Sequence, residues 1–373
     1  MFFREKQKSS QRKIHKSPAK QFIEIPLKTR TKTIDCCLLS VDIKNMKDLF
    51  DSFNSKKIMI VGDVMLDIYM KGKVERISPE APVPIVAVTE TFSRLGGAAN
   101  VAQNLKALGA EPILCSIVGN DETSNDLHNL MKEQAMSDIG IVKSEERITT
   151  RKVRIIGNNA QMLRVDTEDT FDLTEKESHS LINRIHAIIS EERIDGIILQ
   201  DYNKGVLTEH LIREVISTAN KNGIPVGVDP KKKNFLAYKN ATFFKPNLKE
   251  LREGIGMSVK DDSIEEITRA VDKLQSELEC RFIMTTLSER GVLIKDYENN
   301  VMHHIPAHLR KIADVSGAGD TVLSVAMLCL VCEEDAHNIA ALSNLAGGLV
   351  CEELGAVPIN KTRLLEECKK IMN

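Results

Sequence analysis

Tryptophan is absent from this 373-residue chain, and four tyrosines with eleven phenylalanines bring aromatics to only 4%. Platforms for stacking nucleic-acid bases are therefore scarce. Neither sign of charge dominates: 51 Lys and Arg against 53 Asp and Glu leave a net charge of −2. That balance lacks the positive footprint of a nucleic-acid binder. Apolar runs stop well short of the ~20 residues that cross a bilayer. Residues 1–13 carry charge and no apolar stretch, so no secretory leader is expected there. Gly-x-x-x-x-Gly-Lys-Ser/Thr does not occur, which excludes a P-loop enzyme. The run at Gly317 has Val322 where a third glycine would complete Gly-x-Gly-x-x-Gly, which excludes a dinucleotide-dependent oxidoreductase.

Metal-site patterns are equally sparse. The eight cysteines (36, 37, 115, 280, 329, 332, 351 and 368) are scattered and read as reduced thiols of a cytoplasmic protein. Cys329 and Cys332 have CxxC spacing but lie in an apolar stretch without a second pair, so no zinc site is expected. His303, His304 and His308 lack a completing carboxylate or thiol and are expected as exposed loop residues.

What is present describes a globular protein, 42% hydrophobic and 28% charged, with enough chain for one large α/β domain. Residues 1–45 stand apart, with eleven Lys or Arg against four Asp or Glu and no sustained periodicity. They are expected to form a disordered basic leader, with the folded domain spanning 46–373 and Met46 able to serve as its start.

Short aliphatic runs then alternate with helical patterns. Strands are expected at Ile58–Val61, Ile113–Val118, Ile197–Gln200, Val226–Val228, Thr242–Phe244, Phe282–Thr286 and Val292–Lys295. Helices are expected at Ala98–Leu108, Lys176–Glu192, Glu209–Asn222 and Ile264–Leu278. This rhythm, with strands apolar on both faces, implies an α/β fold with a mostly parallel sheet covered by helices. Asp63, Asp201, Asp229, Asn247 and Thr286 fall at strand ends, where open α/β sheets hold their ligands. Two segments break the rhythm: Ile68–Ser93, and the pair Thr150–Ile155 and Gln161–Val165 flanking a Gly157-Asn158-Asn159 turn. They are expected to form a small projecting sheet, a lid near residues 68–95 and 150–166, whose exposed apolar face invites a homodimer.

The run Asp314-Val315-Ser316-Gly317-Ala318-Gly319-Asp320-Thr321 precedes an apolar stretch to Cys332. Its small residues allow a tight turn that exposes amides at a helix start, a place for an anion. A carboxylate within such a site suits a base that takes a proton from a hydroxyl while the amides hold a transferring phosphoryl group. On these residues alone the run reads equally as an ordinary helix start with Asp320 in the first turn.

Gly96-Gly97-Ala98-Ala99-Asn100, together with the Asp314–Thr321 run about 220 residues later, resembles the paired motifs of the ribokinase or PfkB family of sugar kinases. Further runs are similar to the D-glycero-β-D-manno-heptose-7-phosphate kinases. They are Gly62–Asp67, Arg76–Pro84 (with Ser-Pro-Glu-Ala-Pro-Val-Pro), Asp201–Gly205, Val228–Lys231 and Pro246–Glu250. Two departures are visible. Ser316 replaces a usual Thr and keeps the hydroxyl, and Lys231-Lys232-Lys233 replaces Pro-Lys-Gly, losing glycine's freedom in that loop.

The resemblance implies a ribokinase-like three-layer sandwich and ATP-dependent phosphorylation of the heptose phosphate at carbon 1. It implies a place in ADP-heptose synthesis for lipopolysaccharide, with Mg²⁺ and, in some members, a monovalent cation. Asp320 becomes the base, with Gly317, Ala318 and Gly319 as backbone donors. Asp63, Asp67, Gly96, Gly97 and Asn100 match positions near acceptor hydroxyls, and Arg154, Arg164 and Lys204 are candidates for the acceptor's distal phosphate. Asn247, Leu248, Lys249 and Glu250 match an element near the nucleotide phosphates that holds Mg²⁺ through water, although Asn247 and Glu250 also spell a helix-capping pair. Ser288 and Gly291 are expected beside the adenosine. Bifunctional members add an adenylyltransferase domain, an activity expected here in another protein. A kinase for another sugar or nucleoside, and a silent sugar-binding protein on the same frame, remain the alternatives.

Overall fold

The computed structural model describes residues 43–308 and 310–372. The basic leader lies outside the described residues up to position 42. Its last three residues open the first helix, α1 (Ile43–Ser52), ahead of the expected start at Met46. Met46, Leu49 and Phe50 recur at i, i+3 and i+4 on α1 and are buried against the core.

The chain continues through β1 (Lys57–Gly62), β2 (Val64–Ile77), β3 (Pro84–Gly97), α2 (Ala98–Ala107), β4 (Glu111–Gly119), α3 (Glu122–Glu133), β5 (Ser137–Ser144), β6 (Arg151–Gly157) and β7 (Ala160–Thr167). Then follow α4 (Glu175–Glu191), β8 (Gly196–Gln200), α5 (Glu209–Lys221), β9 (Val226–Asp229), β10 (Phe243–Phe244), α6 (Leu248–Ile255) and α7 (Ile264–Leu278). The last part holds β11 (Phe282–Thr286), β12 (Val292–Asp296), β13 (Val301–Ile305), α8 (Ala318–Val331), α9 (Ala336–Val350) and α10 (Lys361–Met372).

Nine strands form one sheet in the order β13-β12-β11-β10-β9-β8-β1-β4-β5. All its pairings are parallel except β11 with β12 and β12 with β13. Alternate residues of β1 feed opposite cores: Ile58 and Ile60 pack with α2, α8 and α9, while Met59 and Val61 pack with α4, α5 and α7. Burial of both faces explains why these strands read as unbroken apolar runs. Helix starts follow local chemistry, as in the Thr174/Glu177 capping box of α4 and the Thr208 and Ser263 caps of α5 and α7. Strands β5 and β13 carried no strong signal. His303 and His304, expected in a loop, lie on edge strand β13 instead, where antiparallel pairing with β12 gives them extended backbone.

The second sheet has the order β3-β2-β6-β7. Asn158 and Asn159 both adopt left-handed φ (51° and 64°), which closes the β6–β7 hairpin as their sequence suggests. Register sorts its faces. Ile68, Val153 and Val165 form one row and Met70, Ile155 and Leu163 another, both apolar. On the opposite face Arg94, Asp67, Lys152 and Asp166 align beside Phe92, Tyr69, Arg154 and Arg164.

Asn104 on α2 joins three segments without any exposure. Its Nδ2 donates to the Asn100 carbonyl at 2.9 Å, and its Oδ1 accepts from Thr321 Oγ1 at 2.9 Å and the Ile359 amide at 3.0 Å. Truncation would strand the buried Ile359 amide, costing about 1–3 kcal/mol, and leave the Thr321 hydroxyl only its longer bond to the Gly317 carbonyl at 3.2 Å, about 1 kcal/mol more. Asn104→Ala is therefore expected to lower unfolding free energy in urea by about 2–4 kcal/mol; an unchanged midpoint contradicts this assignment.

Candidate active site

Strand order reverses at β1, which has β4 on one side and β8 on the other, so a crevice opens beyond the carboxyl ends of these strands. There α8 begins. Gly317, its N-cap, has φ 79°, and a Cβ on it would lie 2.9 Å from Asn100 Nδ2, so both conformation and clearance call for glycine. Asp314 anchors the preceding loop by accepting from the Ser316 amide and hydroxyl (2.9 and 2.8 Å) and from the Gly355 amide (2.9 Å).

Asp320 occupies the first turn of α8 and is 4% exposed. Its Oδ2 accepts from Asn100 Nδ2 at 2.7 Å; its Oδ1 accepts from the Tyr202 hydroxyl at 2.8 Å and Gln200 Nε2 at 3.2 Å. Burial, joined by the Asp229 charge, pushes this carboxyl up to about 6 against the opposing Asn100 and Tyr202 hydrogen bonds. Burial and the Asp320 charge hold the Tyr202 phenol well above its ordinary range, so it stays a donor. A carboxylate fixed in one orientation with a pKa near neutrality can exchange a proton with a hydroxyl.

Beside Gly319 lies a second polar group. A Cβ there would be 3.6 Å from Lys245 Nζ and 3.7 Å from Asp229 Oδ2. Buried Lys245 is 3.1 Å from Asp229 Oδ2, which also accepts from Gln200 Nε2 at 3.2 Å, so Gln200 bridges Asp229 and Asp320. Lys231 Nζ lies 2.5 Å from Glu250 Oε1 and 3.8 Å from Asp229 Oδ1. Burial lowers the pKa of Lys231, but the charges of Asp229 and Glu250 outweigh it and hold the ammonium above its ordinary value. The first-turn amides of Gly319 and Asp320 have no intrahelical acceptor and lie at the positive end of α8. Two lysines and two amides thus converge where an anion can sit.

Asn247 and Glu250 form the capping box of α6 (2.9 and 2.8 Å), and the second Glu250 oxygen meets Lys231. The alternative reading of this pair as a helix cap is realised, at the rim of the same crevice. Leu248 and Lys249 are corrected: the Leu248 side chain packs in the apolar core, and Lys249 reaches solvent beside Glu253. Of the triple lysine, Lys231 enters the crevice while Lys232 and Lys233 pair outside it with Glu253 and Asp172. Gly291 closes the β11–β12 turn at φ 85° with exposed Ser288 at its start, and neither touches the Asp320 cluster.

On the other side, Asp67 holds Arg154 at 2.5 Å, and a Cβ on Gly96 would come 2.6 Å from Asp67 Oδ2. Gly97 caps α2 at φ 61° against the Asp63 carbonyl. Asp63 has a bracing role. Its carboxylate accepts from the backbone amides of Tyr202, Lys204 and Val206 (2.8, 3.1 and 3.0 Å), so it braces that loop. Lys204 pairs with Glu168 at 2.6 Å, and half-exposed Arg164 with Asp166 at 2.9 Å.

Several buried oxygens in this crevice have no hydrogen-bond partner: Asn100 Oδ1, Gln200 Oε1, Asn203 Oδ1 and Glu168 Oε2. Orphaned acceptors are costly unless donors arrive, and a polyol brings many. Among the described residues no three acidic, histidine or cysteine side chains converge on a metal position. Asp229 and Glu250 are each held by a lysine, so this set fits Mg²⁺ that keeps its water and phosphate oxygens and not an all-protein cage. Sequence reasoning missed Lys245 and Gln200. Their only signal was a polar residue closing an apolar strand run, after Phe243–Phe244 and after Ile197–Leu199.

A buried carboxylate at an anion-receiving helix start, on a parallel sheet flanked by a small second sheet, defines a carbohydrate kinase of ribokinase-like fold. The chain belongs to the pfkB family of carbohydrate kinases, whose model matches residues 55–363. It is 37% identical over 322 residues to the bifunctional protein HldE of Geobacter sulfurreducens, covering 86% of this chain and 65% of that one. The HldE of Methylobacillus flagellatus is 39% identical over 310 residues, covering 83% and 62%. The chain thus spans slightly less than two thirds of the length of these relatives. Phosphofructokinase-2 of Escherichia coli in complex with potassium superposes with TM-score 0.70 at 19% identity, covering 85% of this chain and 99% of that one. Arabidopsis thaliana ribokinase complexed with ribose and ATP gives 0.63 at 15%, covering 83% and 98%.

A hydrogen bond to a charged group contributes about 1.5–3 kcal/mol, and one pKa unit corresponds to ~1.4 kcal/mol. Tyr202→Phe is accordingly expected to raise the Asp320 carboxyl by about one unit or more in a ¹³C NMR titration. An unmoved titration would show that the phenol does not support that charge.

Proposed function

We propose that the protein transfers the γ-phosphoryl group of ATP to the carbon-1 hydroxyl of D-glycero-β-D-manno-heptose 7-phosphate, giving the 1,7-bisphosphate and ADP on the route to ADP-heptose for lipopolysaccharide. The observation that carries this reading is the buried Asp320 carboxylate sharing its helix turn with the Gly319 amide beside Lys245. Membership of the carbohydrate-kinase family, the HldE relatives and the motif likeness to heptose phosphate kinases support the choice of acceptor.

Asp320 takes the hydroxyl proton, and the freed oxygen forms its bond to the γ-phosphorus as the bond to the ADP oxygen breaks. Gly317, Ala318 and Gly319 surround the moving group with backbone, and Lys245 and Lys231 offset its charge. Asn100 and Gln200 orient the base and leave one oxygen each for sugar hydroxyls, while Asp67, fixed by Arg154 and given room by Gly96, completes the acceptor side. Asn247 and Glu250 lie on the nucleotide side, with Ser288 and Gly291 toward the adenosine. When bound, Mg²⁺ supplies charge neutralisation on the phosphate oxygens. The outward apolar rows of the second sheet, ending in exposed Leu163 and Val165, favour a dimer through that face.

Purified protein with Mg-ATP and a panel of acceptors, followed by phosphorus NMR, tests the reaction. New phosphate at carbon 1 of the heptose phosphate is expected; turnover of an unphosphorylated sugar alone rejects the reading.

Base loss is tested separately. Because folding raises the Asp320 pKa above its unfolded value, this group stabilises fully below pH ~4 and loses that contribution as pH rises through about 6. Asp320→Asn is thus expected to melt no lower than wild type at pH 8 while turnover falls by about 10²–10⁴ or more. Wild-type kcat/KM should fall about tenfold per unit below pH 6. Near-normal turnover of the variant, or a flat acid limb, would contradict the role.

A further inference from the structure

Most cations facing the crevice already hold an anion. Arg154 holds Asp67, Lys204 holds Glu168, Lys231 holds Glu250 and Lys245 holds Asp229. Lys152 differs. It is half-buried on the charged face of the second sheet, aligned with Asp67 on β2 and Asp166 on β7, yet its ammonium makes no hydrogen bond or ion pair with any described residue. Its ammonium lies 5.9 Å from the centre of the Tyr202 ring, whose hydroxyl meets Asp320. Lys231, from the phosphoryl end, approaches the same ring at 5.8 Å. Tyr202 therefore has the base at its tip, one lysine from the transfer side and one from the second sheet.

Keeping Lys152 here is unfavourable for the empty protein. Burial and the Lys204 charge lower its pKa, and the Glu168, Asp67 and Asp166 charges oppose them without reversing the shift. A bound dianion would relieve both desolvation and like-charge repulsion. Arg154 and Lys204 each already share their charge with a carboxylate, Asp67 and Glu168, whereas the Lys152 ammonium has no such partner among the described residues.

We infer that Lys152 is the residue that selects a phosphorylated acceptor, receiving the phosphate at the far end of the sugar while Asp320 meets the hydroxyl at the near end. This rests on the reading above that the acceptor is a sugar phosphate. Arg164, Lys204 and Arg154 then shape the surrounding field and do not supply the primary contact.

The test measures kcat/KM for heptose 7-phosphate and for the unphosphorylated heptose with wild type, Lys152→Met and Lys152→Arg. One charge-assisted contact predicts that Lys152→Met loses the preference for the phosphorylated sugar by about 10- to 100-fold, mainly through KM. Lys152→Arg should keep the preference within about threefold, and the KM for ATP should move less than about twofold in both, which a general structural defect would not allow. Lys152→Gln serves as a second neutral variant should Lys152→Met fail to fold. A neutral variant that retains the wild-type preference overturns the inference. Should wild type act on a different sugar phosphate, the heptose reading fails, and the same ratio measured on that sugar decides Lys152. A wild type that prefers unphosphorylated sugar overturns both.

Discussion

A carboxylate buried at the start of a helix is the constraint around which this molecule is arranged. Asp320 is removed from water, close to a second buried acid at Asp229, and two such charges in a low-dielectric crevice repel strongly. The fold answers with oriented donors. Asn100 from α2, Gln200 from the end of β8 and Tyr202 from the following loop all aim at the one carboxylate, while Lys245 after β10 neutralises the other. These groups come from distant parts of the chain, so the sheet order and the packing of α2 on α8 are what permit the base to stay charged. Asn104, bonded to Thr321 and to the Ile359 amide, holds that packing together.

Around this centre, charges alternate. Lysines and carboxylates are paired almost throughout the crevice, which keeps the empty protein near electrical balance and leaves cations able to turn toward phosphate when a substrate arrives. The second sheet is mechanically tied to the same centre. Arg94 donates to the carbonyls of Leu354 and Ala356, whose neighbour Gly355 is held by Asp314 at the head of the anion loop. One sheet face is thus committed to the crevice and the other to apolar rows, a division set by the two-residue period of β-strands.

Much of the frame could be read from residue order. Apolar runs such as Ile58–Val61 and Phe282–Thr286 fell on strands because burial on both faces leaves no room for polar residues. The Gly157-Asn158-Asn159 hairpin was equally plain, since asparagine tolerates left-handed φ. Strands β5 and β13 were obscure: edge strands mix polar and apolar residues and resemble loops. Among the site residues, Asp320 and Asn100 could be anticipated from their glycine-rich surroundings. The bracing role of Asp63 was not legible, because a carboxylate that holds three loop amides looks, in one dimension, the same as any other acid at a strand end.

The order of residues by itself determined the α/β class, the helix starts, the glycine positions at 96, 97 and 317, and the presence of an acid in the anion loop. These are short-range properties, set by backbone sterics and by the periodicity of burial. Tertiary structure alone decided which charges meet: that Lys245 neutralises Asp229, that Gln200 spans two acids, that Arg154 is occupied by Asp67 and that the Lys152 ammonium has no ion-pair partner among the described residues. Coulomb and hydrogen-bond energies depend on separations in space between residues far apart along the chain, and only the folded arrangement supplies those distances.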